Sequence, residues 1–395
     1  MHIKLVKTFS TDISDILELT KNENACFVST WDKSELILNI DKKIIEESFR
    51  QQEHINSYIM SKNMETAKEK ILGFLCSEKL KLSSENVTIV SNGTSAAFIS
   101  ILQAIQQNCT NFLCIGPIYF TYMQLLNILN RKLYHYSINL FEEITLNFSH
   151  LKEEIIKNEI HCIILIQPFF GSGINLKDSD LHEIIAFCEK HKIYLLLDYV
   201  YGNMNWNSFT HIHNLELIKL IINSKYCLLY ESISKRIFLN GIKNAVIFGS
   251  SCNIQKINVD SEICLGSISY IQESLLQTIY SAEYLNNINH FITDALNYAK
   301  NNYFLLQTLI LGTSIKLCKS TDGYFTLMAI PKYYFESNDD YSILKELYNK
   351  TGVVTIPHTR YYYFSPEYYC FRINLVIDTE TLLDSINKIL DICSD

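Results

Sequence analysis

The sequence predicts an α/β fold, in which a three-layer sandwich is built on a mainly parallel sheet and joined to a smaller α+β domain. Through the middle of the 395-residue chain, short β-rich apolar runs alternate with longer segments of helical periodicity. These runs are apolar at nearly every position, which is typical of parallel strands that helices cover on both faces. Long helical segments precede the last strands, which favours a separate α+β unit at the C-terminal end.

The predicted elements follow one another in a regular order. Four apolar runs are predicted strands, at residues 87–90, 112–115, 162–166 and 193–197. Helical segments follow the first three runs, at residues 96–106, 122–129 and 179–190. Later strands are predicted at 324–328 and 371–375, and a final helix at 381–392. We therefore predict a large domain over residues 55–285 and a small domain formed by residues 1–54 together with 286–395.

Composition and charge limit the class of function. With 48% hydrophobic and 19% charged residues, the chain can bury a large core. A net charge of −8 and the lack of a sustained basic run disfavour a nucleic-acid partner and favour a small-molecule substrate. No apolar run approaches the ~18 residues of a membrane span, and the residues after Met1 contain no signal-peptide core. We therefore expect a cytoplasmic protein without membrane contact.

The twelve cysteines indicate neither a disulfide scaffold nor a metal site. They are spread irregularly, and no Cys-x-x-Cys pair occurs in the sequence. Cys109 and Cys114, the most closely spaced pair, lack further partners at metal-ligand spacing. We expect reduced thiols, mostly in the core, and no metal.

The most informative pair of residues is Asp198 and Lys235. Asp198 ends an apolar strand, and Lys235 follows a turn that contains Ser232 and Ser234. A lysine can form a Schiff base with pyridoxal phosphate, while a buried carboxylate keeps the cofactor's ring nitrogen protonated. Each residue alone has a simpler explanation, because aspartate often caps turns and the chain is rich in lysine. Asp198 lies at the carboxyl end of a strand, where open α/β sheets bind ligands, which favours a catalytic role.

Further motifs occur on both sides of this pair. A glycine-containing turn lies between a strand and a helix, where it could bind a phosphate or simply cap the helix. A proline-x-aromatic turn follows the next strand, a tyrosine lies three residues after Asp198, and a glycine-x-lysine follows Lys235. One of only five arginines lies on an apolar strand near the C-terminus. The residues concerned are Gly93, Thr94, Ser95, Tyr119, Tyr201, Lys243 and Arg372.

Taken together, the segments from about Tyr58 to Arg372 resemble the fold-type I pyridoxal-phosphate enzymes, in particular the class I/II aminotransferase superfamily. The resemblance implies the large domain of that superfamily, with Lys235 as Schiff-base lysine and proton carrier, Asp198 on the ring nitrogen and Tyr201 on the ring oxygen. It also implies that Arg372 binds the substrate carboxylate. Tyr119 would stack on the cofactor. The implied phosphate contacts are Gly93, Thr94, Ser95, Ser232 and Lys243, with Tyr58 from the neighbouring subunit of a homodimer, and Ser234 is a further implied cofactor contact. Helix packing explains Tyr58 equally well.

Two residues depart from the family pattern. The family's Asn-Pro-x-Asn-Pro-Thr-Gly loop appears as Gln-Pro-Phe-Phe-Gly-Ser-Gly at residues 167–173, so Phe170 replaces the asparagine that bonds the ring oxygen. Lys243 replaces the phosphate-binding arginine and offers a point charge without a planar fork. His358, Arg360 and the tyrosines at 361–363 are candidates for the pocket wall, although an aromatic packing edge explains them as well.

The sequence therefore predicts a pyridoxal-phosphate enzyme that acts on an amino acid. An aminotransferase using an amino acid and a 2-oxo acid is the leading prediction. The departures at Phe170 and Lys243 keep open a lyase, a decarboxylase or an oxidase similar to the L-arginine oxidases. A protein of the same fold without catalytic activity is a further alternative, since fold alone does not establish function.

Overall fold

The structure is a computed structural model, which describes residues 3–6, 13–33, 42–50, 58–60, 64–76, 82–105 and 109–393. Strands are numbered in chain order among these residues: β1 Ile3–Leu5, β2 Cys26–Phe27, β3 Val87–Ser91, β4 Asn111–Ile115, β5 Lys132–Tyr136, β6 Cys162–Ile166, β7 Tyr194–Asp198, β8 Cys227–Glu231, β9 Asn244–Phe248, β10 Lys316–Leu317, β11 Phe325–Pro331, β12 Val353–Val354 and β13 Tyr368–Asn374. The α-helices are α1 Ser14–Leu19, α2 Lys42–Arg50, α3 Glu65–Leu75, α4 Gly93–Ala104, α5 Phe120–Ile128, α6 Phe148–Lys157, α7 Asp178–His191, α8 Leu215–Asn223, α9 Ile233–Arg236, α10 Ser251–Leu265, α11 Tyr270–Ile279, α12 Leu285–Leu309, α13 Asp340–Thr351 and α14 Thr379–Ile392.

The largest sheet in the described part of the chain has eight strands, in the order β1-β5-β4-β6-β7-β8-β9-β3. Strands β5, β4, β6, β7 and β8 are mutually parallel, while β1 and β9 pair antiparallel with their neighbours. Because β3 in turn is antiparallel to β9, it runs in the same direction as β8. The carboxyl ends of six strands therefore meet at one edge of the sheet. The predicted fold class, with its mainly parallel sheet, is confirmed.

Both faces of this sheet are buried, as the apolar strand runs predict. Along β6, Ile163 and Leu165 belong to one apolar cluster, while Ile164 and Ile166 belong to a second cluster. This division follows from the two-residue period of a strand, which points successive side chains to opposite faces. Helices cover each face, so the sheet forms the middle layer of a sandwich. None of the described helices has the length and apolarity that crossing a membrane requires.

A second, three-stranded antiparallel sheet, β10-β11-β13, lies in the C-terminal part. Strand β2 of the N-terminal segment pairs with β12 of this part, in agreement with the predicted association of the two ends of the chain. Strand β1 differs from the predicted division, because it pairs with β5 and extends the large sheet. Its Ile3 is buried at that edge, which explains why the strand lies there. The domain boundaries otherwise stay a prediction.

The start of α4 also differs from the sequence prediction. The helix begins at Gly93, three residues before the predicted start, because the chain turns sharply after β3. Asn92 and Gly93 have φ angles of 66° and 78° in this turn. These left-handed values favour residues such as glycine and asparagine. The turn brings the first backbone N–H groups of α4 to the carboxyl edge of the sheet.

Candidate active site

Most of the predicted site residues lie at or just after the carboxyl ends of strands of the large sheet, whereas Arg372 lies on β13 of the smaller sheet. Six of them line one cavity at this edge, together with Trp31, the loop at 166–173, and residues 322–325 of the C-terminal part. The six are Thr94, Tyr119, Asp198, Tyr201, Lys235 and Arg372. The topology explains the convergence of all of these except Arg372, since parallel strands direct their following loops to the same side.

Asp198 is the last residue of β7 and is almost completely buried. The hydroxyl of Tyr122 donates to its Oδ2 at 2.6 Å, and the backbone N–H of Val200 donates to its Oδ1 at 3.1 Å. Burial raises the pKa of the Asp198 carboxyl to about 6, although both hydrogen bonds lower it. A carboxylate held in this way can pair with a protonated ring nitrogen, which would return its pKa toward lower values.

Lys235 lies on α9, a helix of four residues directly after β8. Its Nζ donates to Oδ1 of Asn240 at 2.8 Å. Burial lowers the pKa of Lys235, and the positive charges of Lys243 and Arg372 lower it further, while Asp32 raises it. Loss of the proton is thereby favoured, and a neutral lysine amine is the form that attacks a carbonyl and accepts a proton.

Arg236, the next residue, connects α9 with the loop after β7. Its Nη2 donates to Oε2 of Glu231 at 2.6 Å, and Nε and Nη2 lie 3.4 Å from the carbonyl oxygens of Val200 and Tyr199. His213 contacts the same carboxylate oxygen at 2.9 Å. This buried group fixes the helical turn of Lys235 against the turn that follows Asp198.

The glycine turn and Lys243 lie side by side at the edge of the sheet. Ser91 of β3 pairs with Asn244 of β9, and the N–H of Asn92 donates to the carbonyl oxygen of Lys243 at 3.0 Å. A Cβ built on Gly93 would lie 3.4 Å from Cβ of Lys243. The N-terminus of α4 therefore lies beside an exposed lysine, with Thr94 facing the cavity. Free N–H groups, a helix dipole and a cation together suit a phosphate.

Arg372 of β13 is buried in a group of aromatic rings. Its Nε and Nη2 donate to the carbonyl oxygen of Ser29 at 3.3 and 2.9 Å. The guanidinium carbon lies 4.6 Å from the ring centres of Trp31 and Phe325, and 5.7 Å from that of Phe170. Within the described ranges, no carboxylate lies at ion-pair distance from Arg372. The remaining donors of this guanidinium can therefore bind a carboxylate that enters the cavity.

Phe170 packs where the sequence resemblance implied an asparagine. Its ring centre lies 4.5 Å from that of Tyr361 and 5.6 Å from that of Tyr119, and it stacks against His358 at 6.4 Å. The neighbouring Gly171 makes this packing possible, because a Cβ there would lie 3.0 Å from Cε1 of His358. His358 and Tyr361 thus lie behind Phe170 and do not line the cavity themselves.

Several predicted phosphate contacts lie outside the cavity wall. The hydroxyl of Ser232 donates to the carbonyl oxygen of Asn244 at 2.6 Å and lies 2.6 Å from Oγ of Ser234, so its proton is used within the protein. Ser95 is partly buried in the first turn of α4. Tyr58 has 88% of its surface exposed and does not line the cavity. Its predicted contact with a neighbouring subunit stays a prediction.

Three residues of the site were missed by the sequence interpretation. Trp31 belongs to an N-terminal segment without a recognisable motif, and its ring packs on Arg372. Asn240 lies five residues after Lys235 and binds its amine. Tyr122 lies three residues after Tyr119, a spacing that places both rings on one face at the start of α5. This spacing is the feature of the sequence from which Tyr122 could have been predicted.

Comparison with known proteins agrees with this geometry. A sequence model of the family described as aminotransferase class I and II matches residues 14–389. A probable kynurenine–oxoglutarate transaminase of Saccharomyces cerevisiae is 23% identical over 314 residues, which are 71% of this chain and 67% of that protein. An aminotransferase from Escherichia coli has a TM-score of 0.81 at 16% identity, over 98% of both chains. Aspartate aminotransferase from Thermus thermophilus with maleate has a TM-score of 0.81 at 14% identity, over 98% of this chain and 97% of that one. The structural likenesses establish the fold, and the match over residues 14–389 establishes that the chain belongs to the aminotransferase class I and II family, whose members are pyridoxal-phosphate enzymes.

Proposed function

We propose that this aminotransferase binds pyridoxal 5′-phosphate on Lys235 and transfers the amino group of an amino acid to a 2-oxo acid. The observation that carries the proposal is the convergence of Lys235, Asp198 and Arg372 on one cavity. These are a lysine with a lowered pKa, a buried carboxylate and an arginine with donors left for an anion. The cofactor would supply an electron sink for the negative charge that develops at the substrate Cα.

The residues at the cavity fit this cofactor. Asp198 would pair with the ring nitrogen, Tyr201 would donate to the ring oxygen, and Tyr119 would lie against the ring. The N-terminus of α4 and Lys243 would bind the phosphate. The contribution of Ser232 is the least supported, because its hydroxyl proton already goes to Asn244.

The chain's own groups account for the proton transfer and the orientation of the substrate. Arg372 binds the α-carboxylate through the donors that Ser29 leaves free, and the surrounding rings exclude water from this ion pair. Lys235, once its amine is neutral, can take a proton from Cα and return it at a different atom. The same lysine therefore needs both a low pKa and freedom to move, which a neutral amide partner at Asn240 permits.

A second candidate is a lyase, decarboxylase or oxidase on the same scaffold. The observation that favours it is the packing of Phe170 beside Tyr119, where the family pattern has a hydrogen-bonding asparagine. A catalytically inactive protein is disfavoured, since the residues needed for chemistry line the cavity. A cytoplasmic location stays a prediction from the sequence.

The cofactor linkage is tested with Lys235→Ala. The purified chain should show a visible absorption band with pyridoxal phosphate, and borohydride should fix the cofactor covalently. Lys235→Ala should lose the covalent product, while Lys190→Ala, an exposed lysine on α7, should retain it. A Lys235→Ala protein that is still labelled by borohydride at this site would contradict the assignment.

The reaction is tested with a panel of amino acids. Formation of a 2-oxo acid together with the amino form of the cofactor indicates transamination, carbon dioxide indicates decarboxylation, and oxygen uptake indicates an oxidase. The yeast relative is named for kynurenine and oxoglutarate, so both belong in the panel. Product without net amino transfer to any 2-oxo acid would favour the second candidate.

We also propose that the active form is a homodimer in which Tyr58 contacts the partner. The proposal is supported by the exposed apolar side chains of Tyr58, Val259 and Ile263, which are 88%, 55% and 76% exposed. Val259 and Ile263 lie one helical turn apart on α10, and Ile59, the residue after Tyr58, bridges to Ile268, three residues after the end of that helix. Exposed apolar groups of this kind mark interaction surfaces. Ile263→Glu would bury a charge in the dimer interface, so it should raise the dimer dissociation constant, measured by light scattering, at least about tenfold. Leu311→Glu, at a similarly exposed position, should leave that constant unchanged.

A further inference from the structure

Tyr122 and Asp198 form a buried pair beneath the floor of the cavity. The tyrosine hydroxyl donates to Oδ2 at 2.6 Å, and the N–H of Val200 donates to Oδ1 at 3.1 Å. Because each carboxylate oxygen has its own donor, the carboxylate cannot rotate without breaking a hydrogen bond. The ring of Tyr122 is itself fixed, since it stacks on Phe98 with a centroid distance of 4.2 Å.

The groups around Asp198 make its charge depend strongly on this hydrogen bond. The titratable groups that face the carboxylate are Tyr122 from α5, Tyr230 from β8, Cys114 from β4 and Tyr201 from its own loop. All four are hydroxyls or thiols whose pKa burial raises, so they stay protonated near neutral pH. Among the described residues, the hydrogen bonds that stabilise the negative charge of Asp198 come from two neutral donors, the hydroxyl of Tyr122 and the backbone N–H of Val200.

We propose that Tyr122 is a positioning residue for Asp198, whose buried hydroxyl holds the carboxylate charged and correctly oriented for the cofactor's ring nitrogen. The proposal rests on the proposed function, because it assigns Asp198 to that nitrogen. One short segment at the start of α5 would then contact the cofactor site twice. Tyr119 faces the cavity, and Tyr122, three residues later, fixes the carboxylate of Asp198. The two rings pack edge to face at 5.4 Å.

The first test measures the carboxyl group itself, in the full chain freed of cofactor. Carbon-13 NMR of aspartate-labelled protein follows the titration of Asp198, which is assigned by its loss in Asp198→Asn. Tyr122→Phe removes only the hydroxyl and should raise the midpoint by about one to two pH units, as expected for a hydrogen bond to a charged group. Tyr303→Phe removes a buried hydroxyl that donates to the carbonyl oxygen of Cys318 at 2.8 Å in the C-terminal part, and it should leave the midpoint unchanged.

The second test asks whether the effect reaches the cofactor. Tyr122→Phe should weaken binding of pyridoxal phosphate about tenfold or more. It should not weaken binding of 1-deazapyridoxal phosphate, in which a carbon replaces the ring nitrogen. Equal weakening for both compounds would show a merely structural role and overturn the proposal.

The outcomes separate this proposal from the proposed function. If the wild-type chain binds no pyridoxal phosphate, the proposed function fails, whatever the NMR midpoint shows. If it binds the cofactor and Tyr122→Phe shifts neither the midpoint nor the binding ratio, the positioning role fails alone. Should Tyr122→Phe not fold, the wild-type titration still decides, because a carboxyl of Asp198 that is protonated at pH 7 overturns the proposal.

Discussion

Arg236 and Glu231 form an ion pair of 2.6 Å in the interior, directly below the helical turn that carries Lys235. Both side chains are 1% exposed, and the guanidinium also contacts the carbonyl oxygens of Tyr199 and Val200. The pair therefore joins the lysine segment to the aspartate segment. Lys235 and Asp198 reach the same cavity from two neighbouring parallel strands, and this connection fixes their relative position.

Replacing Arg236 by Met should cost about 3–5 kcal/mol of unfolding free energy, because Glu231 would keep a buried charge without the guanidinium that pairs with it. Chemical denaturation measures the loss. The control is Arg50→Met, which removes an exposed pair with Glu47 at 3.4 Å and should cost less than about 1 kcal/mol. Adding Glu231→Leu to Arg236→Met should recover part of the loss. Equal effects of the two arginine variants would contradict this explanation.

Replacing Arg372 by Lys should reduce kcat/KM for amino acids about 10- to 100-fold, since lysine keeps the charge but loses the planar fork. The reactivity of the corresponding amine, which lacks the α-carboxylate, should change little. The ratio of the two rates isolates the carboxylate contact. Arg360→Lys is the control, because Arg360 pairs with Asp15 at 3.4 Å and does not line the cavity. A proportional loss for both compounds would exclude a role in carboxylate binding.

Replacing Phe170 by Asn restores the residue type of the family pattern. An amide N–H that reaches the ring oxygen stabilises its ionised form, so the pH midpoint of the cofactor's visible absorption change should fall by about one unit. Phe170→Leu keeps an apolar side chain and should not lower the midpoint in this way. Spectrophotometric titration of the three proteins provides the comparison. The same midpoint in Phe170→Asn and Phe170→Leu would mean that residue 170 does not contact the ring oxygen.

His358 should make stability depend on pH. Burial, and then the charge of Arg372, lower the pKa of His358 to about 3, compared with an ordinary value near 6.5. The unfolded chain therefore binds a proton at higher pH than the folded chain does. The stabilisation is complete above about pH 6.5 and is lost as the pH falls toward 3, at about 1.4 kcal/mol per pH unit.

Denaturation at several pH values between 7 and 5 tests this dependence. The slope of the unfolding free energy against pH reports how many protons the chain takes up on unfolding. His358→Leu should reduce this number by about one, while His290→Gln, at an exposed position, should leave it unchanged. Buried His135, whose pKa is lowered to about 4, provides a second group of the same kind. An unaltered slope in His358→Leu would show that the imidazole is protonated or accessible in the folded protein.

The sequence alone was enough to predict the mainly parallel character of the large sheet, four of its eight described strands and six of the residues that line the cavity, for a physical reason. Buried parallel strands are apolar throughout, so their ends are easily located, and ligand-binding residues follow those ends. Asp198, Tyr201 and Lys235 all come from such positions. The same reasoning could not find Trp31, whose place beside Arg372 depends on how the two ends of the chain pack together.

Hydrogen-bond partners were the least predictable part of the site. The sequence assigned Ser232 to the phosphate, whereas its proton goes to the carbonyl oxygen of Asn244, a backbone group that no side-chain motif reveals. Asn240 and Tyr122 lie close in sequence to predicted residues, yet their roles depend on distances across the fold. Residue spacing along the chain identifies the helices, the strands and the strand ends. The hydrogen-bond partners of side chains, in contrast, can be identified only in the folded structure.

The pairing of Ser91 with Asn244 has a consequence for the folding of the chain. The two segments of the proposed phosphate site lie far apart in sequence, so they come together only when the edge of the sheet has formed. Contacts between such distant segments are slow to form. A partly folded chain therefore has no complete site, and any cofactor that binds selects the finished sheet and stabilises it by mass action. Supplying the cofactor during refolding or expression should then increase the yield of native protein. The enzyme's own ligand would stabilise only those chains in which the sheet is complete.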